Sequence, residues 1–358
     1  MADRIRLAEG GGGEATAELI QRVFWSRLQY PELLKGNDAS IIEIPGNLSY
    51  NSSQGFVSPG GEAVHKETSR IAVTTDSFVV TPWRFPGGDI GRLAICGTVN
   101  DLTMMGAEIL GLTTGFIIEE GFSVRDLEQI VQSLADTAVE AGVKVVAGDT
   151  KVVNKGAADG IYINTTGIGW VDPLIHLGGE LARPGDQVIV TGTMGDHGAA
   201  ILLARGELGI QGELQSDVAP LNHLLKPLIQ KFPGQIRVLR DPTRGGLATT
   251  LNEIARQSSV SIHLEEEKIP VKPQVQGICA LLGLDPFYLA NEGKAIIICG
   301  ECIGEDLLRL LHQHPFGTAA TVIGKVASAN PGLVSVRTGM GGERILPMGS
   351  GEQLPRIC

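Results

Sequence analysis

Ile90-Gly91-Arg92-Leu93-Ala94-Ile95-Cys96-Gly97-Thr98-Val99-Asn100-Asp101-Leu102-Thr103-Met104-Met105 is the stretch on which the reading of the fold turns. Only Arg92, Thr98, Asn100, Asp101 and Thr103 interrupt its apolar run, so it predicts a helix buried around most of its circumference. Gly87-Gly88-Asp89 opens it. Gly97, Asn100 and Asp101 fall at i, i+3 and i+4 and therefore share one face. A carboxylate on a buried helix is costly unless it is hydrogen-bonded, paired or bound to a metal. An internal hydrogen bond satisfies an isolated case; acidic residues recurring in the neighbouring segments favour a metal.

Working outward, Ser123 and Asp126 resemble a capping box ahead of the stripe Val124, Leu127, Ile130, Val131, Leu134 and Ala138, an amphipathic helix. A strand over 143–147 follows and is expected to end in Gly148-Asp149-Thr150-Lys151. Alternation at Ile161, Ile163 and Thr165 predicts another strand, closing near Gly169. On the other side, strands are expected over 40–44 and 71–75, the second ending in Asp76, where a carboxylate just past a strand end faces a cleft. Residues 14–30 read as a helix with Leu19, Ile20, Val23, Phe24 and Leu28 on one stripe. Gly10 to Gly13 ahead of it either wrap a phosphate or form a leader; without a following Gly-Lys-Ser/Thr the leader reading ranks higher.

A linker at 177–186 leads to a second α/β unit: a strand over 187–191, a glycine-rich turn over 192–198 carrying Asp196 and His197, and a helix. His197 at such a turn reads as a cap or surface residue. A strand then runs into Asp241-Pro242-Thr243-Arg244-Gly245-Gly246 and a helix, an order that presents backbone N–H groups to an anion. Asn291-Glu292-Gly293-Lys294 precedes the strand 295–299; Glu292 there either has a functional role or merely neutralises Lys294. Cys299 and Cys302 form a lone CxxC, too little for a zinc site. A helix over 304–314 and strands over 321–326 and 333–336 complete the unit.

The last residues, Leu354-Pro355-Arg356-Ile357-Cys358, follow a run rich in Gly and Pro that suits an irregular arm. Ten extended residues reach roughly 33 Å, so the arm either carries Cys358 into a distant pocket or is an ordinary ragged end.

The whole is 358 residues, long enough for two domains, and 48 glycines give about twice the usual share of roughly 7%, clustered between apolar runs as in ligand-binding α/β proteins. A net charge of -11 without a basic run, and 4% aromatics, argue against nucleic acid. No apolar stretch approaches the roughly 20 residues of a membrane span, and no apolar leader is present, so no membrane and a cytoplasmic location are expected. Five cysteines, an odd count, suit reduced thiols. Asp38, Asp76, Asp101 and Asp149, with Asn100 and Lys151 nearby in sequence, suit a hard cation and a nucleotide, since Mg²⁺ reaches proteins through one or two carboxylates plus substrate phosphates. The alternative is that these acidic residues are solvated.

Thr74-Thr75-Asp76-Ser77, Gly91 through Asp101, Gly148-Asp149-Thr150-Lys151, Asp241 through Gly246, Asn291-Glu292-Gly293-Lys294 and the closing Pro355-Arg356-Ile357-Cys358 together resemble the hydrogenase maturation carbamoyl dehydratases, the HypE family. These are similar to aminoimidazole ribonucleotide synthetase, selenophosphate synthetase and thiamine-monophosphate kinase. The first motifs are shared across that superfamily; the closing Pro-Arg-Ile-Cys is specific to the dehydratases. The resemblance implies an α/β (α+β), two-domain aminoimidazole ribonucleotide synthetase-like fold with a flexible C-terminal tail. Its parts are a glycine-rich leader and helix at 1–36, an ATP- and Mg-binding, dimerising domain at 37–176, a second α/β domain at 177–340 and a tail at 341–358.

It further implies a homodimer using ATP and Mg²⁺. A carbamoyltransferase of the HypF type loads Cys358, ATP drives dehydration of the S-carbamoyl group to a thiocyanate, and an iron-carrying HypC/HypD-type complex accepts the cyanide for a nickel-iron hydrogenase. The expected roles are Cys358 as carrier, Glu292 as base and Lys151 stabilising phosphoryl charge. Asp76, Asp101 and Asp149 are expected to hold Mg²⁺, with Asp38 and Asn100 also lining the nucleotide site. From the residues alone, Arg356 acts to lower the thiol pKa and the adjacent terminal carboxylate acts to raise it, and which of the two prevails is left open. The alternatives are a small-molecule kinase acting on selenide or thiamine monophosphate, and an ATP-binding scaffold without chemistry.

Overall fold

The computed structural model describes residues 4–45, 49–51, 55–57, 68–206, 209, 212–349 and 356–358. The first domain is a five-stranded sheet in the order Ser40–Pro45, Thr68–Phe78, Ile161–Val171, Ala107–Glu119, Val145–Val153. Every pairing is antiparallel except the last, where Ala107–Glu119 and Val145–Val153 run parallel across the helix Val124–Ala141. Ser123 caps that helix by accepting the Asp126 N–H at 3.3 Å, and Gly142 ends it at φ 67°, a left-handed turn that glycine adopts without strain.

The helix Ile90–Met104 lies against the sheet and is buried almost throughout, which is why its apolar residues show no single stripe. Asp89 caps it, accepting Arg92 N–H at 3.0 Å. Glycines set how closely it approaches: a Cβ on Gly97 would come within 2.8 Å of the Phe78 ring, and one on Gly167 within 2.6 Å of Thr98. Odd-numbered residues of Ile161–Val171 are buried beneath this helix, while Asn164 and Ile168 are exposed on the opposite face. Among the described residues that face carries no helix, and Ile42, Ile44, Ile117, Val146 and Ile168 are exposed on it in this single chain.

Two of the expected strand ends lie inside strands. Thr68–Phe78 continues beyond Thr75 because Asp76, Ser77 and Phe78 pair with Thr165, Asn164 and Ile163. Likewise Val145–Val153 takes Gly148 to Lys151 into the ladder against residues 114–117. The helix expected over 14–30 is Gly13–Leu19, widening to i→i+5 turns over Ile20–Trp25, with Ser26 N–H on the Gln21 carbonyl at 3.2 Å. Val23, Phe24 and Leu28 of its expected stripe are exposed.

The second domain is a seven-stranded sheet ordered Ile236–Arg240, Ile296–Cys299, Gln187–Val190, Thr321–Ala327, Ser261–Glu265, Val334–Arg337, Glu343–Ile345. Its central strands are continuous apolar runs because both faces are covered. Val188, Val190, Ile296 and Ile298 pack with the helix Gly246–Gln257, whereas Ile189, Ile297 and Cys299 pack with the helices Asn222–Lys231 and Gly304–Leu311. The expected tail from 341 stays bound further than its composition suggests. Glu343–Ile345 pairs with Val334–Arg337, Leu346 is fully buried, and the Gly349 carbonyl accepts Glu14 N–H at 2.9 Å. Residues 350–355, which include Leu354 and Pro355 of the expected arm, lie outside the described residues.

Candidate active site

The site forms where the two sheets meet around the 356–358 segment. Val79 N–H donates to the Cys358 carbonyl at 3.0 Å and Thr81 N–H to the Arg356 carbonyl at 3.3 Å, so this segment pairs antiparallel with the chain leaving the strand Thr68–Phe78. Ile357 is buried in the cluster that contains Phe78, Val80, Phe85 and Ala290. Arg356 sits at φ 51°, an uncommon left-handed value, and donates from Nε to the Val79 carbonyl at 2.9 Å while ion-pairing with Asp159. Its guanidinium is therefore engaged by Val79 and Asp159, and of the two arginines it is Arg244 that acts to lower the thiol pKa. Burial pushes the Cys358 thiol well up; Arg244 opposes this, and the carboxylates of Glu292, Asp76 and Asp241 reinforce it. The docked position therefore favours the thiol over the thiolate.

Around it the fold gathers carboxyl groups from five segments. Asp76 projects from its strand toward Gly97 of the helix, where a Cβ would lie 3.6 Å from Asp76 Oδ2. Asp101, one turn further along that helix, accepts the Thr74 hydroxyl at 2.7 Å. Asp38 stands 2.5 Å from Arg240 Nε, and Arg240 also holds Glu253 at 2.8 Å. Asp241 follows Arg240 and is buried, and Glu292 comes from the Asn291-Glu292-Gly293-Lys294 turn. All five carboxyls are raised. Burial is the largest cause for each, and neighbouring carboxylates add to it for Asp101, Asp241 and Glu292; Asp38, relieved by Arg240, rises to about 6. One oxygen of Asp38 and one of Glu292 are buried with no hydrogen-bond partner.

Among the described residues, no group of three or more His, Cys, Asp or Glu side chains is drawn together closely enough to hold a metal ion. The donor chemistry of the aspartates nonetheless fits a cation: the unpartnered Asp38 oxygen and the mutual repulsion of Asp38, Asp76, Asp101 and Asp241 are what a divalent ion relieves.

Asp149 and Lys151 are not brought to this cluster within the chain. They form an exposed ion pair at 2.6 Å on the edge strand. Asp149 pairs through Gly115 with Asn164 and Ser77, both exposed on the helix-free face, so it lies on the opposite side of the sheet from Asp76. Asn100 is fully buried. Its amide donates to the Ala219 and Glu292 carbonyls at 3.1 and 3.4 Å, and its Oδ1 accepts Leu221 N–H at 2.8 Å, so it ties the 292 turn to the first domain.

Several residues go beyond the sequence reading. Asp241 and Arg244 sit in the site although only their motif marked them. Asp217 accepts Glu292 N–H at 3.1 Å and stands 3.4 Å from Lys294, so Lys294 pairs with Asp217. His197, expected as a cap or surface residue, is fully buried and holds the Ile357 carbonyl at 2.8 Å. Gly246, expected to present N–H groups to an anion, donates its N–H to Thr243 at 2.9 Å, and a Cβ there would meet the Leu289 carbonyl at 2.5 Å, so its missing side chain serves close packing. The leader packs onto this turn: Gly12, at φ 82°, would place a Cβ 3.0 Å from Arg244.

The chain matches two family models, AIR synthase related protein, N-terminal domain, over residues 60–171 and AIR synthase related protein, C-terminal domain, over 183–335. It is 47% identical over 355 residues, 99% of this chain and 95% of the relative, to the carbamoyl dehydratase HypE of Cupriavidus necator. Among solved structures it resembles HypE in a HypE–HypF complex, with TM-score 0.81 and 44% identity over 92% of this chain and 99% of that one. It also resembles HypE in complex with ATP, with TM-score 0.77 and 45% identity over 99% of this chain and 100% of that one.

Proposed function

We infer that this chain, which belongs to the carbamoyl dehydratase HypE family, is an enzyme of hydrogenase maturation that uses ATP to dehydrate an S-carbamoyl group on Cys358 to a thiocyanate. The observation that carries the reading is the docking of the segment ending in Cys358 against Val79, Thr81 and His197, within electrostatic reach of Arg244, Glu292, Asp76 and Asp241. A small-molecule kinase needs no thiol there.

In the reaction the carbamoyl oxygen attacks the γ-phosphorus of ATP and ADP leaves. One N–H proton goes to Glu292 and the other leaves with the phosphate as the C–O bond breaks and the C≡N bond forms. Glu292 is the base. Its raised pKa makes it a stronger proton acceptor once ionised, and the unpartnered Glu292 Oε1 is the free position for that proton. Asn100 and Asp217 fix its main chain on two sides. Arg244, which keeps its charge in the presence of Cys358, Asp76 and Glu292, faces the negative charge that develops on the transferred oxygen. Mg²⁺ would be held by Asp76 and Asp101 with Asp38 and Asp241 adjoining, and it would neutralise phosphate charge. The high pKa of the docked thiol supports loading by a HypF-type carbamoyltransferase with the segment undocked, since the thiolate is the nucleophile.

The open sheet face and the exposed edge strand support a homodimer, in which Asp149 and Lys151 act across the interface. Transfer of the cyano group to an iron-carrying HypC/HypD-type complex and action in the cytoplasm complete the proposal. Among the described residues no helix is long and apolar enough to cross a membrane.

Intact mass and peptide mapping after incubation with the carbamoyltransferase, carbamoyl phosphate and Mg-ATP test the reading. A gain of about 43 Da on Cys358 should give way to one of about 25 Da. Glu292→Gln should stop at the first gain, its second step slowed at least about 100-fold. A persistently unmodified Cys358 with active carbamoyltransferase would overturn the assignment.

A further inference from the structure

The 356–358 segment is held mainly through its backbone, and one of those contacts comes from a side chain that the chemistry above does not use. Along the segment, the carbonyls of Arg356 and Cys358 point to the N–H groups of Thr81 and Val79. The Ile357 carbonyl faces the other way, as alternation in an extended pair requires. There it meets His197 Nε2 at 2.8 Å. A carbonyl only accepts, so Nε2 carries the proton and Nδ1 is the acceptor; Ser216 Oγ donates to it at 2.8 Å. The imidazole is fully buried, lies edge-on to the Phe85 ring at 5.4 Å, and is held toward the neutral form by burial. Arg205 adds a further donor, Nη2 to the Arg356 carbonyl at 3.0 Å.

We propose that His197, fixed in one tautomer by Ser216, is a positioning residue for the dehydration step: it grips the Ile357 carbonyl and so sets the Cys358 substituent against Glu292. Its contacts are with the Ile357 carbonyl, Ser216 and Phe85. Because its contact is with main chain one residue from the sulfur, its loss leaves the chemistry of Glu292 and Arg244 intact while the docked position of the thiol becomes one of several. The two half-reactions then respond differently. Loading of the thiol on the partner enzyme takes place undocked and does not need His197; conversion of carbamoyl to cyano needs it. This rests on the dehydratase reading for its second half only.

Two measurements on the full-length protein separate the dock from that reading. The first is alkylation of unloaded protein by iodoacetamide, followed on the peptide carrying Cys358 so that exposed Cys302 does not interfere. His197→Ala should alkylate about tenfold faster than the parent, and His197→Gln, whose amide N–H reaches a similar position, should return toward the parent rate. The second is single-turnover conversion of pre-loaded protein on adding Mg-ATP. His197→Ala should load at the parent rate and convert about 10- to 100-fold more slowly, with recovery in His197→Gln. Should His197→Ala fail to fold, Ser216→Ala carries the same two readouts with a smaller change. Equal alkylation rates in parent and variants would overturn the dock, as would loading and conversion falling together. Absence of conversion in the parent, with the alkylation difference intact, would sink the dehydratase reading and leave the dock standing.

Discussion

Asp101 shows what the site demands of single residues. Its carboxyl is half-buried, accepts one hydrogen bond from Thr74 and feels the charges of Asp241, Asp76 and Asp38, so its raised pKa comes from desolvation first and like charge second. A carboxyl whose folded pKa lies above its unfolded value takes up protons on folding. The stability it supports is therefore present below the unfolded carboxylate range, near pH 4, and is lost as pH rises through the folded value, about 6 for Asp38. The metal-free protein should lose thermal stability between about pH 4 and pH 7, and Mg²⁺ should restore part of it at the upper end. Asp101→Asn removes one charge and keeps an acceptor for Thr74. Calorimetry should find the metal-free midpoint at pH 7 raised by about 2–4 °C, while Mg-nucleotide affinity falls about tenfold or more. A lowered midpoint, or unchanged affinity, would count against the cluster as a cation site.

The helix Ile90–Met104 sets geometry at the scale of an element. Gly97 lets it approach Phe78 and Asp76 at once, so a side chain there pushes the strand that carries Asp76. Gly97→Ala should cost about 1–3 kcal/mol in denaturant unfolding and weaken nucleotide binding as well. Gly277 gives the opposite sign: it lies in the helix Pro273–Leu282 with nothing within 4 Å of its would-be Cβ, and Gly277→Ala should stabilise by about 0.5–1 kcal/mol with binding unchanged. The helix itself was legible in its apolar run, and its Gly, Asn and Asp at helical spacing marked a functional face. Their division of labour was not. Asn100 points its amide at the other domain while Asp101 turns to Thr74, a difference of one residue's rotation that depends on what packs on each side.

For the whole molecule, the helix-free sheet face exposes Ile42, Ile44, Ile117, Val146 and Ile168 side by side with the nine-residue edge strand Val145–Val153, the kind of apolar surface that a second copy covers. Light scattering should return twice the 37.8 kDa chain mass. Ile117→Asp, in the middle of that face, should give monomers with the fold intact, and those monomers should lose turnover if Asp149 and Lys151 act from a second copy. A dimer that survives this substitution would place the interface elsewhere.

The sequence by itself determined the two α/β units, most of their strands and helices, and the motif residues around which the site forms, because hydrophobic periodicity and glycine placement are local properties of the chain. It marked Cys358, Glu292 and the first-domain aspartates as the chemical groups. Only the tertiary structure decided which of them meet. Asp76 and Asp149 both stand in aspartate-bearing strands with similar local sequence, yet sheet order and strand parity put them on opposite faces. His197, Asp241 and Arg244 join the site from positions far apart in the chain, and Arg356 is turned from the thiol by Asp159. Side-chain direction in a sheet follows a period of two, and contacts between domains follow packing over long sequence separations; neither is carried by any one segment.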